Sequence, residues 1–288
     1  MKALLREIRA SANMSQQELA DTMGVTFATI NRWENGHATP NRMAQMKLYD
    51  FCVECQIPLI DFVLSKIKSA ASSVELADGE ILLYHGSKSG IEGKIAPISR
   101  ERCDFGRGFY MGTQPEQTLT LICDFDKPMF YVMSIALDGL KTIRIPPDIQ
   151  WAMLVAYHRG KMEEIRGSAL YERYQNMLAD CDVVIGSIAD DRMFYVLDNF
   201  FLGNITDMAL VNSLSALQLG EQVVCITQKG CDKVKIEKEI PLSYLERKSL
   251  QAESEQNRAK GISLAHEICK NYRREGRYFD ELLEEMEE

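Results

Sequence analysis

With 288 residues, 46% of them hydrophobic and 26% charged, the chain is long enough for about two domains and too apolar for disorder to be the default. A net charge of −9 excludes a protein that coats nucleic acid over its whole surface, though not a local basic face. Eight cysteines without dense spacing exclude a small disulfide scaffold, and the longest strongly apolar run, 129–137, is far short of the ~20 residues needed to span a bilayer; reduced thiols, a cytoplasmic location and no membrane partner are expected.

Leu4, Leu5 and Ile8 recur at helical spacing. Ser15, with Glu18 three residues on, forms a capping box for a second helix over 16–23, which Gly24 ends as a tight helix-turn-helix requires. Thr26 caps a third helix over 27–34 that stops at Asn35-Gly36, and Pro40 precedes a fourth through Met43, Leu48 and Phe51. The segment SQQELADTMGVTFATINRWENG, 15–36, resembles the helix-turn-helix of phage-repressor-like (XRE-type) regulators. That resemblance implies a third helix in the major groove of DNA, with Thr26, Phe27, Thr29 and Asn31 near base edges and Arg32 at a phosphate or guanine. Gln16 is expected on a phosphate. Val25, Ile30 and Trp33 read as core. Eight basic residues stand against seven acidic ones over 1–70, so a module of this charge gains affinity by pairing, and a homodimer is expected. The alternative use of the module is protein docking.

Cys52 and Cys55 form a lone C-x-x-C on the fourth helix; without a second pair or a histidine at ligand spacing they read as packed thiols, and no metal is expected. Small and polar residues over 69–78 can bury little and mark a linker. The expected division is a helix-turn-helix domain at 1–68, a linker at 69–79, an α+β domain at 80–243 and a helical charged tail at 244–288.

Ile81-Leu82-Leu83 is an apolar run of the buried-strand kind, with His85 expected at its end where the chain turns at Gly86. Gly106 and Gly108 flank Arg107 ahead of a second apolar strand, Phe109-Tyr110-Met111, so His85 and Tyr110 are expected on neighbouring strands at one edge of a pocket. Then come a helix over 114–123 with Leu119, Ile122 and Cys123 on one face, strands over 129–137 and 142–145, and a helix over 148–159 with Trp151, Leu154 and Val155 in the core. Val183-Val184-Ile185 reads as a strand turned by Gly186, ahead of a helix from 189 to 200 capped by Asp190 or Asp191; a further strand covers 222–227. Interleaved strands and helices make an α+β domain. In the tail, Leu264 and Ile268 lie four apart and, with Leu282 and Leu283, are expected to dock on the preceding domain or on a partner chain.

YHGS at 84–87, DFGRGFY at 104–110 and DCDVVIGSIADD at 180–191 resemble the ADP-ribosyltransferase superfamily, in the branch with His in one strand and Tyr in the next; the closest likeness is to a bacterial family long catalogued as of unknown function, over roughly 80–243. The resemblance implies a split β-sheet, NAD as substrate, and cleavage of the bond to nicotinamide through an oxocarbenium-like transition state. ADP-ribose would pass to an unknown protein or nucleic-acid acceptor. By the same resemblance His85 would hydrogen-bond a ribose hydroxyl, Gly86 would offer backbone groups to the carboxamide, Tyr110 would stack on the nicotinamide and Arg107 would meet a phosphate, while Ser87 and Gly108 belong to the same cofactor-binding motifs. The superfamily's late-strand glutamate, which binds the ribose and offsets developing charge, falls in GEQVVCIT at 220–227; strand register can place Glu221 or Gln222 in the pocket, and alignment favours Gln222.

Two functions follow. One is an NAD-dependent ADP-ribosyltransferase, a toxin or defence effector with an N-terminal DNA-binding module. The other is a transcriptional regulator whose transferase-like domain senses a nucleotide or binds a partner without chemistry.

Overall fold

The computed structural model describes residues 1–188, 191–217 and 220–287. The N-terminal helices are α1 (Lys2–Ser11), α2 (Gln16–Met23), α3 (Phe27–Asn35) and α4 (Arg42–Glu54). The Ser15–Glu18 capping box closes both ways, Thr26 caps α3 through the Thr29 amide, and Asn41 caps α4 through Ala44. Gly24 and Gly36 end α2 and α3 in the left-handed region, at φ 65° and 77°, which a residue with a Cβ enters only at a cost. Leu4, Leu5, Ile8, Leu19, Ile30, Trp33, Leu48 and Phe51 form one apolar core. Of the C-x-x-C pair only Cys52 is packed there, with burial pushing its thiol up to about 12; Cys55 is exposed.

A fifth helix, α5 (Leu59–Ser72), was not foreseen and takes in the first four residues of the stretch read as a linker. Val63, Ile67 and Ala71, spaced by four, bury its inner face, so the small residues of 69–72 serve close packing.

The remainder is built on one seven-stranded sheet: β1 (Glu80–Ser87), β2 (Phe109–Gly112), β3 (Met129–Ala136), β4 (Thr142–Arg144), β5 (Val183–Ser187), β6 (Glu221–Cys225) and β7 (Val234–Pro241). The order is β4-β5-β6-β2-β1-β3-β7, antiparallel throughout except β4 beside β5. Along the chain the sheet alternates with α6 (Pro115–Ile122), α7 (Ile149–His158), α8 (Ala169–Asn176), α9 (Asp191–Phe201), α10 (Asp207–Leu217), the short α11 (Gln228–Cys231), α12 (Tyr244–Tyr272) and α13 (Phe279–Glu287). Asp190, offered above as a helix cap, lies outside the described residues, as does the side chain of Asp191.

β1 and β3 register along their whole length, whereas β1 and β2 meet at a single pair, Tyr84 opposite Gly112. Leu83, Met111, Met133, Ile185 and Val223 bury one face of the sheet. The other face carries two helical clusters: α5 and α6 lie over β1 and β3, through Ile67, Leu119, Ile122 and Phe130, while α7 to α10 lie over β5 and β6, through Trp151, Met193, Leu210, Val184 and Val224. Two glycines expected to turn the chain stay inside strands. A Cβ at Gly86 would come within 2.6 Å of Ile122 Cγ2, and one at Gly186 within 2.7 Å of the Phe105 ring, so both positions admit a neighbour too close for any side chain.

The C-terminal helices complete these cores. Leu245 joins the N-terminal core, Leu250 the cluster under α5, and Ala265, Ile268, Phe279 and Leu282 the cluster over β5 and β6. Leu264 and Leu283 pack against the last of these, so the tail docks on its own chain. Glu246, only 2% exposed, accepts from Lys66 Nζ of α5 at 2.6 Å and from the Ser243 amide and hydroxyl. Burial works to raise the Glu246 pKa, but the charge and hydrogen bond of Lys66 and the Ser243 donors prevail and lower it.

A carboxylate lowered in this way stabilises the fold above its unfolded range, around 4.3, and loses that contribution as pH falls through the folded value. Chemical denaturation at pH 7 should show Lys66→Met less stable by about 1–3 kcal/mol, because a buried carboxylate loses a half-exposed partner. In Glu246→Gln the acid limb of the stability profile should flatten; a profile parallel to the parent below pH 5 would remove Glu246 from this account.

Candidate ligand cavity and DNA-facing helix

Where β1 and β2 part beyond Tyr84 and Gly112, a cavity of about 590 Å³ opens on the helical face of the sheet. Tyr84, Gly86, Tyr110, Met111, Gly112 and Gln222 line it from the strands, Thr118 and Leu121 from α6, and Ile188 from the end of β5. Arg100, Arg102, Cys103 and Asp104 come from the β1–β2 connection, and Arg159 and Lys161 from the turn after α7. The register explains the strand contribution: Gly112 pairs with Gln222, and Gln222 with Gly186, so glycines flank the glutamine on both neighbouring strands and let Thr118 and Phe105 approach closely beside it.

Burial separates a floor from a mouth. Gln222 and Asp104 are 3% and 8% exposed. Gln222 Nε2 donates to Asp104 Oδ2 at 3.0 Å and to the Ser187 carbonyl at 2.9 Å. Two acceptors fix the orientation of the amide, leaving Oε1 as its free acceptor. Asp104 Oδ1 accepts from Arg159 Nη2 at 2.6 Å, and both side chains are about nine-tenths buried. Arg100, Arg102 and Lys161 are exposed and ring the opening with positive charge. Among the described residues no group of three or more His, Cys, Asp or Glu is placed to hold a metal ion.

Tyr110 stands over this floor with its hydroxyl engaged: it donates to the Gly106 carbonyl at 2.8 Å and accepts from the Phe105 amide at 3.0 Å. Burial pushes its phenol well up, so it stays protonated. The bonds pin the loop that carries Asp104, and Gly106, at φ 74°, makes the turn. A Cβ at Gly106 would lie 2.9 Å from His158 Nδ1; desolvation pulls that histidine down to about 4.

The two rings expected to share one ligand do not share one face. With Tyr84 opposite Gly112, Tyr110 falls on the cavity face, while the His85 ring alternates to the other side and stacks on Phe109 at 4.4 Å. His85 borders the cavity at the parting of the strands and ties them, its Nδ1 donating to the Tyr110 carbonyl at 2.7 Å. Desolvation lowers its pKa, so the imidazole is neutral and its Nε2 an acceptor.

The remaining expected residues are scattered. Gln222 is in the cavity, whereas Glu221 sits at the strand's exposed start, ion-paired with Arg144. Ser87 closes a turn on Gly90 through its hydroxyl. Arg107 points to solvent and pairs with Glu101, outside the cavity. Gly108 is a packing glycine, since a Cβ there would lie 2.4 Å from Val224 Cγ1. The polar residues that sequence reading missed are Asp104, Arg159, Arg100, Arg102 and Lys161. Asp104 opens the DFGRGFY motif, which was the one available signal.

On α3, Thr26, Phe27 and Arg32 are exposed and Thr29 and Asn31 half-buried. Phe27 is 47% exposed at the helix start. Gln16 is half-buried and bonded within the module: its Nε2 donates to Glu34 at 2.7 Å, and its Oε1 accepts from Asn31 at 3.3 Å. Arg9 grips the buried Glu34 through two nitrogens, at 2.7 and 3.2 Å. Burial acts to raise the Glu34 pKa, and the bonds from Arg9 and Gln16 overcome it. Gln16 therefore positions Asn31 on the outer face of α3.

No curated protein and no solved structure matches the chain. A family model described as helix-turn-helix matches residues 5–43, which supports DNA binding by these helices. A second model, described as protein of unknown function (DUF3990), matches 81–236, from β1 into β7, and so includes the seam, the cavity and Gln222. Since that match spans more than half of its length, the chain belongs to the DUF3990 family and carries a helix-turn-helix ahead of it.

Proposed function

We propose that the protein is a DNA-binding transcriptional regulator whose 81–236 domain binds NAD in the seam cavity. The observation that carries this reading is the cavity's polarity: exposed arginines and a lysine at the mouth suit a pyrophosphate, and a buried, oriented amide beneath a tyrosine ring suits a planar amide-bearing ring. A volume of about 590 Å³ accommodates a molecule of dinucleotide size. In this reading His85 acts through the strands it ties, and Tyr110 offers its ring face while its hydroxyl holds the loop.

A second reading is ADP-ribosyl transfer, with the protein acting as a toxin or defence effector. One observation favours it: a carboxylate, Asp104, stands at the cavity floor against Gln222. In that reaction the bond between the ribose C1′ and the nicotinamide nitrogen breaks and nicotinamide departs with the electron pair. An acceptor nucleophile then adds to C1′ and loses its proton. A nearby carboxylate stabilises the positive charge that develops on the ribose.

Calorimetry on the full chain should show saturable NAD binding, weakened about tenfold in the Arg100→Gln, Arg102→Gln double variant, with a shallower salt dependence. Equal binding by parent and variant would remove the phosphate from the mouth. NAD labelled in its adenylate half, incubated with lysate, separates the two readings: binding without label transfer is the regulator, and labelled protein or nucleic acid is the transferase.

Selection from a random pool of DNA duplexes should enrich a sequence that Arg32→Ala binds about tenfold more weakly, by loss of a phosphate or guanine contact on the exposed face of α3. Failure to enrich any duplex would leave the module a protein-docking surface.

A further inference from the structure

We propose that Asp104 makes the cavity selective for the oxidised over the reduced dinucleotide. The inference rests on the NAD reading above and names what that site discriminates. The oxidised nicotinamide ring carries a positive charge; the dihydro ring is neutral, and the remainder of the molecule is unchanged. A site distinguishes the two by the charge it places beside the ring.

The cavity arranges its charges by depth. Asp104 is the one acidic residue lining it among the described residues, and it is buried at the floor beside Gln222. The cations not committed to that floor, Arg100, Arg102 and Lys161, are exposed at the mouth, where water and salt screen them. A ligand with its pyrophosphate among those cations has its nicotinamide end directed to the floor, against Tyr110 and Gln222. There a carboxylate acts through poorly screening surroundings and favours the cationic ring. Its pairing with Arg159 offsets part of that field, and the Gln222 and Arg159 bonds together fix where the carboxylate stands.

Placing this carboxylate is also what Tyr110 does. Its hydroxyl clamps the Phe105 amide and Gly106 carbonyl next to Asp104, and Gly106 supplies the turn. For a DNA-binding chain, such a site makes occupancy depend on the ratio of oxidised to reduced dinucleotide as well as on their total.

The test is the ratio of affinities for NAD and NADH, by calorimetry on the full chain and on Asp104→Asn, with thermal melting to establish that the variant is folded. The expected result is tighter binding of NAD than NADH by the parent, and a ratio that falls toward one in Asp104→Asn by about three- to tenfold. In Arg100→Gln both affinities should drop together, leaving the ratio in place. An unchanged ratio in folded Asp104→Asn overturns the inference. If that variant does not fold, the parent decides: NADH bound as tightly as NAD overturns the inference and leaves the NAD reading intact, whereas binding of neither removes both.

Discussion

One registered pair between β1 and β2, Tyr84 opposite Gly112, is the constraint from which the cavity follows. Had the strands paired along their length, their amides and carbonyls would be spent on one another and the space between them closed. Glycine on both strands allows the parting. A Cβ at Gly112 would lie 2.9 Å from Thr118 Oγ1, and one at Gly86 would meet Ile122, so α6 presses onto the seam only because both side chains are missing. His85 then replaces a lost backbone partner, its Nδ1 bonding the Tyr110 carbonyl. The imidazole thus supports the cavity from behind while Tyr110 lines it.

What the sequence made legible was local. The Ser15 and Thr26 caps, the left-handed glycines 24 and 36, the apolar runs of β1, β3, β5 and β6, and the buried faces of α6 and α7 follow from nearest-neighbour chemistry. The unforeseen elements lacked such signals. β7 reads VKIEKEIP, an edge strand whose lysines and glutamates guard its open side and mask its alternation. α5 was hidden because its small residues resemble a linker until the partner surface is known. Even for Phe109-Tyr110-Met111, a strand read correctly, the faces were not readable, because alternation assigns sides only once register is fixed, and Tyr84 opposite Gly112 sends His85 and Tyr110 apart. The β2–β6 register, with Gly112 opposite Gln222, puts Gln222 and not Glu221 on the cavity face.

Charge is handled differently at the two ends of the chain. In the helix-turn-helix, Arg9 and Glu34 make a largely buried pair that fixes Gln16, which in turn holds Asn31 on the outer face of α3. In the cavity, Arg159 and Asp104 make another buried pair, with Gln222 as its third member. Both follow one rule: a buried carboxylate is tolerated when every oxygen has a donor, and the donors then become fixed points for their neighbours. Neither network announces itself in sequence, since its members lie 25 residues apart in one case and 55 in the other.

α12 carries a consequence for how the protein finds DNA. Its first turn is part of the helix-turn-helix core, its second turn of the cluster under α5, and its last turns of the cluster over β5 and β6. The reading helix therefore has no tether of its own and cannot sample sites ahead of its cargo, as a module on a flexible linker does. Each encounter presents the whole acidic particle to the duplex, so the approach is restricted to orientations in which the sheet domain stands clear of the phosphates.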